Sequence, residues 1–157
     1  PYVAKQNLYF YNSTITDRMA DKKVNTRFVG GMTFQSHFDD GHHLLIDTAE
    51  ADGGNDLGPR PKQLMLSALA GCTGIDVVGL LNKMRVPFNN FSIDIEANLT
   101  KEHPKIYDWV KVIYTISVKE EDKDKVTKAV KLSKEQYCGV SAMFEKFATV
   151  ESEIVFL

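Results

Sequence analysis

Apolar residues follow two rhythms along this chain. Between Gln63 and Met84 nearly every turn of a helix would carry one: Leu64, Met65, Leu66, Leu69, Val77, Val78, Leu80 and Leu81. They fall on all faces rather than on one stripe, which predicts a long helix buried on most sides. Pro59 and Pro61 suit its start, because a first-turn residue has no backbone N–H bond to lose. Val86-Pro87 ends it. Small residues (Ala68, Ala70, Gly71, Gly74, Gly79) would let neighbouring backbones come close.

The second rhythm has period two. Phe91, Ile93, Ile95 and Ala97 alternate with polar residues, and WVKVIYTISV after the KEHPKIYD loop does the same. An antiparallel strand pair with one wet face is expected. Upstream, VNTRFVGGMTFQSHF reads as two strands, or as one bent at Gly30-Gly31. Asp39-Asp40-Gly41 marks a turn and HHLLIDTAE the return strand of a hairpin. AEADGGNDLGPRP is a polar, Gly-rich loop. Downstream, EEDKDKVTKAVKLS has acidic residues in its first turn and lysines towards its end, the pattern of a surface helix. Ser133 followed by Gln136 is a capping-box pattern opening a last helix, KEQYCGVSAMFEKFA, with Cys138, Met143 and Phe147 on its apolar side. ATVESEIVFL closes the chain as a strand. The order predicts one α+β domain over residues 23–157, helices segregated against sheet. Residues 1–22 show no clear pattern. Without an initiator Met they read as a trimmed or artificially added start, or as an arm that buries Leu8, Phe10 and Ile15.

Composition narrows the function classes. The 157 residues, 43% hydrophobic and 25% charged, suit an ordinary globular domain with a proper core. A formal net charge of −2 argues against a nucleic-acid partner held by general electrostatics. The central run approaches the length of a membrane span, which needs about 20 mostly apolar residues. Lys62 and Gln63 precede it, Asp76 interrupts it, and Asn82, Lys83 and Arg85 follow, so a buried helix off the membrane is expected. Two cysteines make no disulfide scaffold, and no signal peptide is visible, which reads as cytoplasmic.

Two residues are chemically unexpected in the central helix, Cys72 and Asp76, and their spacing puts them on one face. Cys138 lies in the second apolar helix, in similar small-residue surroundings, YCGV against GCTG. The cysteines are either small hydrophobes in a core or a thiol pair, one attacking and one resolving. Asp76 either makes structural hydrogen bonds or orients a cation, and its charge would raise the pKa of a neighbouring thiol. His37, His42 and His43 lie near the hairpin turn and His103 in a later loop. Without Cys-x-x-Cys or His-x-x-x-His spacing they read as solvated side chains rather than metal ligands. AGCTG sits inside a helix, so it is no phosphate loop.

GPRPKQLMLSALAGCTGIDVVGLLNKMRV followed, after two strands, by LSKEQYCGVSAMF resembles the OsmC/Ohr family of osmotically inducible and organic hydroperoxide resistance proteins, and within it the YhfA-like branch. The resemblance extends over about residues 23–157. It implies an OsmC-like fold, an antiparallel sheet packed on a long buried central helix, in an intertwined homodimer with thiol sites at the subunit interface. It also implies reduction of organic hydroperoxides in oxidative-stress defence, without a cofactor. Cys72 would attack the peroxide and become a sulfenic acid, and Cys138 would close a disulfide that a dithiol reductant reopens. The peroxidase members carry an Arg shortly after the glycine pair, where this chain has Met32, and a Glu ten residues before the attacking Cys, where it has Lys62 with Gln63 beside it. Arg60 and Lys62 are the available substitutes for supporting a thiolate. The other class of function is a non-enzymatic OsmC-like stress or ligand-binding protein whose interfacial pocket takes an apolar small molecule.

Overall fold

The computed structural model describes residues 20–157, so the arm reading of Leu8, Phe10 and Ile15 lies outside the described residues. The chain divides into two compact units, Pro1–Gly58 and Pro59–Leu157.

In the N-terminal unit β1 (Val24–Gly30), β2 (Thr33–Phe38) and β3 (His43–Ile46) form an antiparallel meander in that order. The glycine pair therefore separates two strands. Gly30 pairs with Thr33, and the chain reverses through Gly31 and Met32. Gly31 has φ +55°, and a Cβ there would collide with the Asn55 side chain, so two constraints select glycine. The Asp39-Asp40-Gly41 turn forms as expected, closed by the Phe38 N–H on the His42 carbonyl at 2.9 Å. Val24, Phe28, Val29, Met32, Phe34 and Phe38 remain exposed on this unit.

The Gly-rich loop after β3 is knotted around one acid. Asp47 is only 2% exposed. Its carboxylate accepts from Thr33 Oγ1 and the Thr48 N–H, both at 2.8 Å, and from the Asn55 and Leu57 N–H groups, both at 3.2 Å. Asn55 Nδ2 donates to Thr33 Oγ1 at 3.2 Å and closes the knot.

The C-terminal unit contains α1 (Pro61–Lys83), β4 (Asn89–Leu99), β5 (Tyr107–Ser117), α2 (Lys123–Leu132), α3 (Gly139–Phe144) and β6 (Thr149–Phe156). β4 and β5 pair antiparallel, as their alternation predicts, while β6 joins β5 in parallel and makes the sheet mixed. A parallel neighbour needs a crossover, and α2 and α3 supply it. The core gathers Val110, Val112, Tyr114 and Ile116 of β5, Leu69, Val77 and Leu81 of α1, Val126, Ala129 and Val130 of α2, and Phe144 of α3.

α1 begins and ends where the prolines predict, and its N-terminus is closed by the Arg60 N–H on Gln63 Oε1 at 3.3 Å. It is not buried on most sides within this chain. Its buried residues are Leu69, Thr73, Val77 and Leu81, a single stripe at four-residue spacing, while Met65 is 44% and Ile75 75% exposed. An all-round apolar sequence calls for cover on every side, but it does not say that one chain supplies it. By length and a mean hydropathy of 1.9 the helix could cross a membrane. Its stripe instead packs on β4, α2 and α3.

The last helix also departs from expectation. α2 runs without a break into a π-helical turn, Ser133–Tyr137, and Cys138 then leaves helical geometry at φ −74° and ψ 97° to N-cap the short α3. Ser133 caps nothing, because its hydroxyl is taken by side chains of α1. Met143 is 66% exposed, so it does not share the face of the buried Cys138.

The knot makes the N-terminal unit acid-sensitive. Burial raises the Asp47 carboxyl, but the bonds from Thr33, Thr48, Leu57 and Asn55 outweigh it and hold the group below its ordinary range. A carboxyl depressed in the folded state stabilises fully above its unfolded pKa of about 3.9, and the contribution disappears as pH falls through the lower folded value. Asp47→Ala should speed amide exchange at Asn55 and Leu57 roughly tenfold at neutral pH, the scale of one lost hydrogen bond. The wild type should show the same loosening only below about pH 4. Hydrogen-exchange NMR checks both.

Candidate thiol site

Helical spacing carries Cys72 and Asp76 to one face of α1, and the extended residue between the π turn and α3 carries Cys138 to meet them. Both sulfurs and a carboxylate oxygen of Asp76 lie within 4.8 Å of one another. Both cysteines are free thiols; Cys72 is half-buried and Cys138 is 2% exposed. The Cys138 Sγ accepts from the Ser141 N–H at 3.3 Å.

A row of buried hydroxyls fixes the acid. Ser133 Oγ donates to Asp76 Oδ2 at 3.1 Å. Thr73 Oγ1 lies 2.9 Å from Ser133 Oγ and 2.7 Å from the Tyr114 OH. Each hydroxyl has one proton to give. Ser133 spends its own on Asp76, so Thr73 donates to Ser133, and Tyr114 to Thr73. All three protons point towards the carboxylate. Sequence reasoning missed Thr73, Tyr114 and Ser133 as parts of this site. Their signal was a hydroxyl in a core position: Thr73 amid an apolar helix and Tyr114 at an inward position of β5.

The electrostatics keep Cys72 protonated. Burial pushes its thiol above the ordinary range, the hydrogen bond with the Cys138 thiol and the charges of Cys138 and Asp76 push the same way, and the Val140 N–H opposes them. None of these groups is a cation. Burial likewise pushes the Tyr114 hydroxyl up.

The other residues singled out from the sequence sit elsewhere. Met32 belongs to the N-terminal unit, 52% exposed at the β1–β2 turn. At a rise of about 1.5 Å per residue, Lys62 stands about 15 Å and Arg60 about 18 Å along the helix axis from Cys72. Gln63 is engaged in capping α1. Lys62 lines an apolar cavity of about 350 Å³ with Met65, Lys105, Ile106, Tyr107 and Phe147. Asp76 borders a smaller depression of about 150 Å³ with Ile75, Gly79, Leu80, Lys83 and Tyr137. His37 and His43 face each other across β2 and β3 with ring centroids 6.3 Å apart, and His42 pairs with Asp40 at 3.0 Å on the surface.

Comparison with known proteins places this architecture. A family model described as OsmC-like protein matches residues 53–153. The chain is 28% identical over 128 residues to Protein YhfA of Escherichia coli (strain K12), a match covering 82% of this chain and 92% of that protein. It is also 28% identical to a hypothetical protein from Aquifex aeolicus VF5, whose crystal structure superposes with a TM-score of 0.75 over 88% of this chain and 98% of that one. The organic hydroperoxide resistance protein OhrB of Bacillus subtilis has the same fold at 23% identity, with a TM-score of 0.57 over 85% of this chain and 96% of that one.

The raised thiol has a direct kinetic signature, because the thiolate is the nucleophile. In metal-free buffer at neutral pH, iodoacetamide should modify Cys72 more slowly than a free cysteine, at a rate still climbing beyond about pH 8.5. Asp76→Asn removes a negative charge that disfavours the thiolate, so at fixed pH the rate should rise severalfold. Mass spectrometry of the Cys72 peptide against time and pH measures both.

Proposed function

The chain belongs to the OsmC-like family, and on that footing we propose that it reduces organic hydroperoxides, with Cys72 attacking and Cys138 resolving. The observation that carries this reading is the meeting of two free thiols, 66 residues apart in sequence, within 4.8 Å. Packing alone asks for no such meeting, still less for a carboxylate beside it.

The Cys72 thiolate attacks the outer oxygen of the hydroperoxide. The O–O bond breaks, the alkoxide leaves as alcohol on taking a proton, and Cys72 becomes a sulfenic acid. The Cys138 thiolate then attacks that sulfur, forming the disulfide, while the sulfenic oxygen leaves as water. A dithiol reductant restores both thiols by exchange. The difference in exposure supports these roles: Cys72 is half-open to substrate, and the buried Cys138 is shielded from it. Asp76 stands beside both sulfurs, and its charge disfavours the Cys72 thiolate rather than forming it.

The working unit in this reading is a homodimer of residues 23–157 in a reducing cytoplasm. Exposed Met65 and Ile75 on α1, together with the six apolar side chains on the N-terminal sheet, are surface that a second copy covers. One observation favours the ligand-binding alternative: the upward push on Cys72, with no cation among the described residues that shift it.

Consumption of cumene hydroperoxide in the presence of dithiothreitol separates the two. Cys72→Ser should lose at least about a hundredfold in rate, because the nucleophile is gone. With no reductant present, Cys138→Ser should complete one turnover and accumulate Cys72 sulfenic acid, detectable with dimedone. The wild type should react faster with cumene hydroperoxide than with hydrogen peroxide. If Cys72→Ser and wild type react alike, the binding reading replaces this one. Light scattering at micromolar concentration should give twice the chain mass, and a stable monomer would remove the interfacial site.

A further inference from the structure

We propose that the reduced thiols of Cys72 and Cys138, together with the Asp76 carboxylate, form a binding site for a zinc-class divalent cation. Two sulfurs and one oxygen converge within 4.8 Å from three residues of one unit. Around zinc, ligand atoms at about 2.3 Å for sulfur and about 2.0–2.2 Å for oxygen stand under 4 Å apart, so the cluster needs to close by only about 1 Å. Cys72 and Asp76 come from one helix face at i,i+4. Cys138 comes from a non-helical residue at the entrance of α3, where a small backbone adjustment moves its sulfur without breaking a helix.

The surroundings are built as ligand supports are built. Metal-ligating carboxylates are held by hydrogen bonds from behind. Here Ser133 donates to Asp76 Oδ2 and is backed by Thr73 and Tyr114, while the Ser141 N–H steadies the Cys138 sulfur. Asp76 also borders the 150 Å³ depression, which gives an ion a way in. Two thiolates select a borderline-soft ion over magnesium or calcium, and three protein ligands leave a fourth position for water. A divalent charge would offset two of the three negative charges on two thiolates and a carboxylate. Sequence spacing hides this set, since Cys138 is far from the other two along the chain.

The test reads binding alone, in the absence of peroxide, so it stands or falls apart from the peroxidase reading. Fully reduced full-length chain, freed of reductant under anaerobic conditions, is titrated with Co2+ followed by Zn2+. The expected result is a thiolate-to-cobalt charge-transfer band with the intense visible bands of a four-coordinate ion, saturating at one cobalt per chain and bleached by stoichiometric zinc. Cys72→Ser and Cys138→Ser should each lose the charge-transfer intensity and at least about a hundredfold in affinity. Asp76→Asn should bind about tenfold more weakly, with shifted visible bands. Circular dichroism verifies that each variant is folded. Wild type with its thiols blocked by N-ethylmaleimide supplies the same test without a substitution and should not bind. Absence of the charge-transfer band in reduced wild type, its persistence in Cys72→Ser, undiminished affinity in Asp76→Asn, or binding by the blocked protein would each overturn the proposal.

Discussion

A half-buried carboxylate on an apolar helix needs a hydrogen-bond donor on its covered side, since a polar group left unpaired out of water costs about 1–3 kcal/mol. Asp76 meets that requirement through Ser133, and much of the C-terminal unit follows from the bond. It ties α1 to the end of α2, and through Thr73 and Tyr114 it ties both to the central strand β5. With its hydroxyl committed, Ser133 cannot cap a new helix. The chain runs on through the five-residue π turn, leaves helical geometry at Cys138 and re-enters helix at Gly139, with Cys138 set against Cys72.

Much of the scaffold was legible in the sequence because its signals are local. Prolines bracket α1, alternation marks β4 and β5, and Asp39-Asp40-Gly41 marks the hairpin turn. The shared face of Cys72 and Asp76 follows from helix periodicity alone. What was not legible depends on distant partners. The Ser133–Gln136 pattern is a local cap signal that a tertiary bond overrides. The apolar girth of α1 announced cover without naming its source, and only the Leu69, Thr73, Val77, Leu81 stripe is covered by this chain. The parallel pairing of β6 depends on the crossover, not on the strand's own residues. The Asp47 knot draws three of its four donors from backbone N–H groups, which leave no trace in composition. The meeting of Cys72 with Cys138 was expected only through the family resemblance, since a separation of 66 residues carries no geometry.

The chemistry of the site turns on charge. Burial, the second thiol and Asp76 all disfavour a thiolate at Cys72, and one backbone N–H opposes them. Such a thiol resists casual oxidation. To react it needs positive charge delivered to the sulfurs, since the carboxylate beside them carries the opposite sign. The lysine and arginine near the start of α1 stand too far along the helix to deliver that charge within one chain.

Cys138 is also a structural part in a second sense, because α3 starts on its sulfur. Thioether and thiol sulfurs are weak acceptors beside the oxygens that usually hold a first turn. The six-residue α3 therefore has a soft anchor, and it packs against β6, the edge strand of the sheet. Any new bond at the sulfur reorients its lone pairs and draws on the Ser141 amide. The sulfur is thus a latch on α3: a covalent bond made there would compete with the Ser141 amide and loosen the segment that leads from the site to the margin of the fold.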